Sequence, residues 1–459
     1  MASGNIDRYD VDIIDLSPEG DGVAMLAGAR VTVPFTIPGE RVHVSVLRTG
    51  RPVRSARLIR VLRPSPHRVS PGCAHFGPDT EGGLPCGGCS WQHIAYREQL
   101  RLKTARLERL LAAARVQARV QPMKAATSLD APWGFRQKVH FHVGGGVRPG
   151  PPLHLGHYAR GSRRLVPVDD CPVHDPRGNA IAFAACRAFK RGKVQAEGDR
   201  SSGVLQALAV RVARGSEEAQ VTLVAGDESD AALRSATRAF ISASTEQTSF
   251  HLNVHPDDDG FIFGPQTRRL AGPERLREHV LDTDYLVSPT AFFQTNVAAA
   301  EVLVREVLGL VPASPSRVLD LYAGAGLFAI PLARAGHTVT AVEENRRAVG
   351  DGEVSARLNR VPPERLRFVV KRTEDALRGL SGIDAAVMDP PREGCAPSVI
   401  ATVFGRIRPA TVVYVSCNPD ALAQDLRAIV QHGYHVGTIV PIDMFPHSPH
   451  IEAVVALTR

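Results

Sequence analysis

Residues 414–419 read Tyr-Val-Ser-Cys-Asn-Pro, a thiol at the end of a β-branched run that Asn-Pro breaks at once. The chain has seven cysteines, an odd number, and thiols kept reduced serve as catalysts, metal ligands or core fillers. Cys417 is one of these, and a strand's carboxyl end is where an open α/β sheet meets its ligands. A second such end is Asp-Leu-Tyr-Ala-Gly-Ala-Gly-Leu-Phe-Ala, residues 320–329, where Gly324 and Gly326 permit a tight turn and close backbone approach to a nucleotide-like ligand. Glu343 ends the next strand, where a carboxylate can bind ribose hydroxyls. Gly324-x-Gly326-x-x-Ala329 also fits a dinucleotide fingerprint, so a nicotinamide- or flavin-dependent oxidoreductase stays open on this motif alone. At a third strand end Asp389 is followed by Pro390 and Pro391, which hold the backbone extended, and by Arg392.

Five motifs in order, Ser-Pro-Thr-Ala-Phe-Phe-Gln-Thr-Asn (288–296), Asp-Leu-Tyr-Ala-Gly-Ala-Gly-Leu-Phe, Asp-Pro-Pro-Arg-Glu-Gly-Cys, Tyr-Val-Ser-Cys-Asn-Pro and Asp-Met-Phe-Pro-His-Ser-Pro-His-Ile-Glu (443–452), resemble the RNA uracil-C5 methyltransferase family. The resemblance implies an S-adenosylmethionine-dependent enzyme in which Cys417 attacks C6 of uracil and Glu452 removes the C5 proton. It also implies that Gln294, Tyr322, Gly324, Gly326 and Glu343 lie at the cofactor and Asp389 between cofactor and base. Leu327 and Arg372 depart from the family pattern at two cofactor-side positions.

Cys73, Cys86 and Cys89 form Cys-x12-Cys-x2-Cys, and Cys171 follows in Asp-Asp-Cys-Pro-Val-His. Such a set can hold zinc or an iron–sulfur cluster. The Cys-Gly-Gly-Cys-Ser-Trp-Gln-His-Ile stretch and the later Cys-Pro resemble the four [4Fe-4S] ligands of the rRNA branch of the same family, with a longer first gap here. Cys186 reads as a core filler, and His447 and His450 as loop-structuring residues.

The elements that must position these groups fall into three parts. Residues 1–62 read as five short strands in a small closed barrel that resembles the TRAM RNA-binding domain. Residues 63–287 form a central α+β region, with one helix expected from about Ile94 to Val116 and strand patterns dominating from Pro122 onward. Residues 288–459 alternate strand and helix, the pattern of a Rossmann-like, mainly parallel, doubly wound α/β sheet.

The net charge of +8, from 55 basic and 47 acidic residues, suits a polyanionic partner. Eight arginines and no acid occur between Arg41 and Arg68, as though one face of the barrel were positive. The sequence opens without a signal-peptide pattern and has no run that spans a bilayer, so a cytoplasmic protein with no membrane association, monomeric by default, is expected. Barrel and cysteine set together direct the expectation to 23S rRNA rather than tRNA, with a uridine in a loop or flipped out of a stem as target. A non-catalytic RNA-binding protein is the remaining alternative, and the thiol and both acids argue against it.

Overall fold

Alternation sets the N-terminal architecture: Val42, Val44 and Val46 are buried along Arg41–Leu47 while Arg41 on the same strand is exposed. The computed structural model describes residues 6–47, 54–78, 84–130, 132–145, 153–196, 204–245, 247–255 and 262–459. The chain divides into two compact units, residues 1–99 with 154–172 and 445–449, and residues 100–153 with 173–444 and 450–459. These units cut across the expected boundaries at 62 and 287: the cysteine-bearing segment belongs with the N-terminal strands, and most of the central region with the C-terminal sheet.

In the first unit five antiparallel strands run in the spatial order Ala29–Val33, Gly22–Leu26, Ile6–Leu16, Arg41–Leu47, Arg57–Arg63. The sheet closes because Thr32 donates to Arg54 O at 3.0 Å and accepts from the Ala56 amide at 2.9 Å, which removes an exposed edge. Ile13, Val31, Val33, Val42, Val44 and Val46 fill the interior, each burial contributing roughly 1.5–3 kcal/mol. The purely positive face is corrected by the neighbouring strand: Asp12 lies 3.6 Å from both Arg41 and Arg63, and Asp10 lies 2.6 Å from His43. Arg68 turns inward to a bidentate pair with buried Glu40, at 2.6 and 2.7 Å. Glu40 stands one residue before the acid-free stretch, and Arg48 and Arg51 lie outside the described residues.

The second unit contains a mixed sheet in the order Gln266–Ala271, Thr248–Val254, Ala219–Ala225, Leu205–Val212, Lys138–Gly144. Two helices, Pro176–Arg191 and Ala231–Ser242, pack on each other, and the expectation that strand patterns dominate this region placed neither. Asp175 and Asp230 cap them, and Pro176 opens its helix from the first turn, where a proline costs no hydrogen bond. The expected helix after Ile94 runs Tyr96–Ala113.

The C-terminal sheet matches the doubly wound expectation. Its parallel strands stand in the order Leu366–Val370, Thr338–Glu343, Arg317–Leu321, Ala385–Met388, Thr411–Ser416, followed by the antiparallel Glu452–Thr458 and Val440–Asp443. Strand order reverses between Arg317–Leu321 and Ala385–Met388, which opens a crevice at their carboxyl ends. No helix among the described residues is long and apolar enough to cross a membrane.

Candidate active site

The glycine-rich turn leaves the carboxyl end of Arg317–Leu321 with three residues at positive φ: Tyr322 at 63°, Gly324 at 55° and Gly326 at 83°. Tyr322 is a bulky side chain in the left-handed region, a conformation that costs of order 1–3 kcal/mol. A Cβ on Gly326 would lie 2.9 Å from the Phe368 ring, whereas one on Gly324 would meet nothing within 4 Å. Gly326 is therefore required for packing, and Gly324 leaves an open cradle. Glu343 fixes the turn, accepting from the Gly324 amide at 2.9 Å and the Asn345 amide at 2.8 Å. Each of its oxygens keeps a lone pair for a further donor.

Beneath the turn lies Asp320, which is fully buried, with no side-chain partner for its carboxylate and only the Ala329 amide near it. Burial first, then the negative charge of Asp389, push its pKa well above the usual carboxylate range, with the Ala329 amide opposing and Glu343 adding to the rise. A buried acid left so is costly unless a ligand's donor or cation completes it. The open cradle, the buried acid and the ribose-competent Glu343 fit an adenosyl ligand bearing an ammonium group.

The nucleophile turn is built by local hydrogen bonds. Ser416 Oγ donates to Asn418 O at 3.0 Å and accepts the Asn418 amide at 3.2 Å, which folds the chain around Cys417. Asn418 caps the helix Pro419–Val430 and donates from Nδ2 to Arg392 O at 2.8 Å, tying this turn to the Asp389 turn. Antiparallel pairing sets Ser416 opposite Ala453, so the next step of the register brings Cys417 beside Glu452. Asp389 follows Met388, which pairs with Tyr414 on the other side of the same strand. Three consecutive strands thus present an acid, a thiol and an acid.

Electrostatics follow from that placement. Burial raises the Cys417 thiol to about 11, with Glu452 and Asp389 adding to the rise and Arg392 opposing it. Burial lifts Asp389 to about 7. Glu452 is held well above the carboxylate range by burial and by the charge of Asp389, and Arg392 again opposes. The pocket resists holding three negative charges at once, so protons are shared among these groups and titrate together. Next to them, buried Lys103 donates to buried Asp443 at 2.6 Å and anchors the end of Val440–Asp443, the strand paired with Glu452–Thr458.

Of the expected site residues, Tyr322, Gly324, Gly326 and Glu343 meet in one turn, and Asp389, Cys417 and Glu452 on adjoining strand ends. Gln294 is half-buried in the loop that precedes the helix Val297–Leu310. Asp320 and Asn418 were missed as site residues. An acid in the apolar run Arg-Val-Leu-Asp-Leu was the available signal for Asp320, whereas Asn418 required the fold.

Cys73, Cys86, Cys89 and Cys171 all lie in the first unit and are half-buried. Gln92 accepts the Cys73 amide at 3.1 Å, and the Cys86 amide donates to His75 O at 2.9 Å. Burial raises both thiols, and Cys73 is near enough that its charge raises Cys86 further. Among the described residues, no three His, Cys, Asp or Glu side chains converge to hold a metal ion. As placed here, the cysteines do not form a completed cluster site. Cys186 is buried in the helix Pro176–Arg191, as a core filler should be. His447 binds Gln99 through its amide and the Ser90 and Trp91 amides through its carbonyl, a loop-structuring role.

Fold and site together define a methyltransferase of the S-adenosylmethionine-dependent class. The tRNA (Uracil-5-)-methyltransferase family matches residues 273–459. An RNA methyltransferase of Gloeobacter violaceus is 33% identical over 98% of this chain and 96% of its own length. One of Synechocystis is 30% identical over 98% of this chain and 95% of its own. Among solved structures, the tRNA (uracil-54, C5)-methyltransferase of Pyrococcus abyssi, in complex with S-adenosyl-L-homocysteine, is 27% identical and superposes with a TM-score of 0.77 over 98% of this chain and 100% of that one. The chain belongs to the RNA uracil-C5 methyltransferase family.

Proposed function

We propose that the protein transfers a methyl group to C5 of a uridine in RNA through a covalent intermediate on Cys417. The observation that carries this reading is the meeting of Asp389, Cys417 and Glu452 on consecutive strand ends. S-adenosylmethionine, when bound, supplies a methyl made electrophilic by its sulfonium. Tyr322, Gly324, Gly326 and Glu343 would hold its nucleoside end, Asp320 would complete its charged tail, and Gln294 and Asp389 would face the reacting centre.

Uracil C5 is too weak a nucleophile to accept a methyl unaided, and Cys417 corrects this by bonding to C6 as a thiolate. The C5=C6 pair moves into an enolate, C5 takes the methyl, and C5 then carries both methyl and hydrogen. Glu452 accepts that hydrogen as a proton, the double bond reforms, and the C6–S bond breaks with its electrons returning to sulfur. A carboxylate with a raised pKa is a stronger base than an ordinary one, which suits Glu452 to this step.

For the substrate we favour a loop or flipped-out uridine of 23S rRNA, supported by the closed N-terminal sheet and the four-cysteine set. tRNA is the second reading, and one observation favours it: the likeness to a tRNA enzyme extends over 98% of this chain, N-terminal strands included. A cytoplasmic, monomeric protein accompanies either reading. Nucleoside mass spectrometry after incubation with S-adenosylmethionine and unmodified 23S rRNA or tRNA decides. 5-Methyluridine in the rRNA alone is expected; its appearance only in tRNA would overturn the substrate, and in neither, the activity.

A [4Fe-4S] cluster on Cys73, Cys86, Cys89 and Cys171 belongs to the same proposal, supported by the presence of all four cysteines in one unit and by the nearness of Cys73 to Cys86. Protein purified without oxygen should then carry about four iron atoms per chain with matching sulfide. Zinc, or no metal, would refute it.

A further inference from the structure

Two buried cations of the central sheet have no part in the chemistry so far described. Lys138 on Lys138–Gly144 and Arg211 on Leu205–Val212 are directly paired across neighbouring antiparallel strands and are only 6% and 2% exposed. Burial and the neighbouring Arg211 charge push the Lys138 ammonium well below its usual range, while burial brings Arg211 down to about 10. Buried Glu278 is the acid whose charge offsets Arg211, and burial lifts it in turn to about 7. A pair of like charges out of water destabilises a fold, and apolar side chains of similar volume are often neutral or stabilising in such places.

The contacts of these cations show what they do instead. Lys138 Nζ donates to Pro289 O at 3.3 Å and Ala291 O at 3.4 Å, and Arg211 Nη2 donates to Phe293 O at 3.1 Å. The three carbonyls belong to alternate residues of the Ser288–Asn296 segment. The segment opens on a tight turn, the Ala291 amide donating to Ser288 O at 3.1 Å, and the held carbonyls pin the stretch that leads to Gln294. Phe292 is 78% exposed, while Phe293 is buried beneath the Arg211 guanidinium, 5.8 Å from its ring centre. The Gln137 amide continues the row by donating to Thr295 O at 2.7 Å, and its side chain accepts the Val297 amide at 3.1 Å.

We propose that Lys138 and Arg211 are positioning residues that clamp the Ser288–Asn296 loop through its alternate carbonyls and so fix where Gln294 is presented. The inference rests on the reading of Gln294 as a contact to cofactor and base. Neither cation touches the reacting atoms; each acts through the loop. Hydrogen bonds from these side chains to the carbonyls are replaceable by another long donor of similar reach but not by an apolar isostere.

Hydrogen exchange on the full chain tests the clamp without reference to activity, using Lys138→Met, Arg211→Met, the conservative Lys138→Arg, and Gln294→Ala. In both Met variants, exchange of a peptide spanning 288–296 should rise at least tenfold, while the Arg317–Leu321 strand and the melting temperature hold. Methyl transfer should fall at least tenfold in kcat with the KM for S-adenosylmethionine changed less than threefold, and Lys138→Arg should restore most of both. Unchanged exchange in the loop of both Met variants would overturn the clamp, as would faster exchange spread over the whole sheet. If loop exchange rises but Gln294→Ala retains full activity, the clamp stands and the role given to Gln294 falls.

Discussion

Cys417→Ala is expected to abolish 5-methyluridine formation, by about 10⁴-fold or more, because removing a covalent nucleophile leaves only binding and orientation to act. The substitution should not harm the fold, since Cys417 is half-buried and its turn is held by Ser416 and Asn418 rather than by the thiol. Stabilisation against thermal unfolding by S-adenosylmethionine should persist, because the glycine-rich turn and Glu343 are untouched. Residual methylation above a few per cent would exclude Cys417 as the nucleophile. The wild-type thiol gives a companion result. With its pKa raised to about 11, alkylation of Cys417 in the RNA-free enzyme should accelerate with pH. The thiolate fraction grows about tenfold per unit until the pKa is approached. A rate already saturated at pH 8 would mean that the pocket stabilises the thiolate rather than opposing it.

The C-terminal sheet was legible because four of its parallel strands end at, or shortly before, a residue that breaks the pattern: Gly324, Glu343, Asp389 and Cys417. The site within it was legible only in part. A motif can place Cys417 and Glu452 in sequence, but that they stand beside one another depends on the antiparallel register of Glu452–Thr458, which no local pattern encodes. The same limit hid Lys138 and Arg211, which are 73 residues apart and adjacent only across two strands. The helices Pro176–Arg191 and Ala231–Ser242 carried a readable signal, since Ala182, Ala185, Cys186 and Phe189, and Leu233, Ala236, Thr237 and Phe240, recur at helical spacing; Pro176 looks like a breaker although it opens a helix. The positive face failed because Asp10 and Asp12, outside the arginine-rich stretch, sit across the sheet from it.

Glu452→Gln should give the opposite signature to Cys417→Ala: the first half of the reaction proceeds and the second stalls. Gln is close in shape to Glu and can occupy the same site at the start of Glu452–Thr458, but its amide cannot accept the C5 proton. Loss of a general base costs roughly 10²–10⁴-fold in the step it serves. The methylated, cysteine-linked uridine should therefore accumulate, visible as an RNA–protein species that survives a denaturing gel and vanishes in the Cys417→Ala, Glu452→Gln double variant. Attack itself should not be impaired, since removing an acid that opposes the Cys417 thiolate leaves one fewer negative charge competing for the pocket. A variant that forms no adduct and transfers no methyl would assign Glu452 to binding or to attack. One that releases product at the wild-type rate would move the base elsewhere, and Asp389, raised to about 7 and sharing the pocket, is then the next carboxylate to replace.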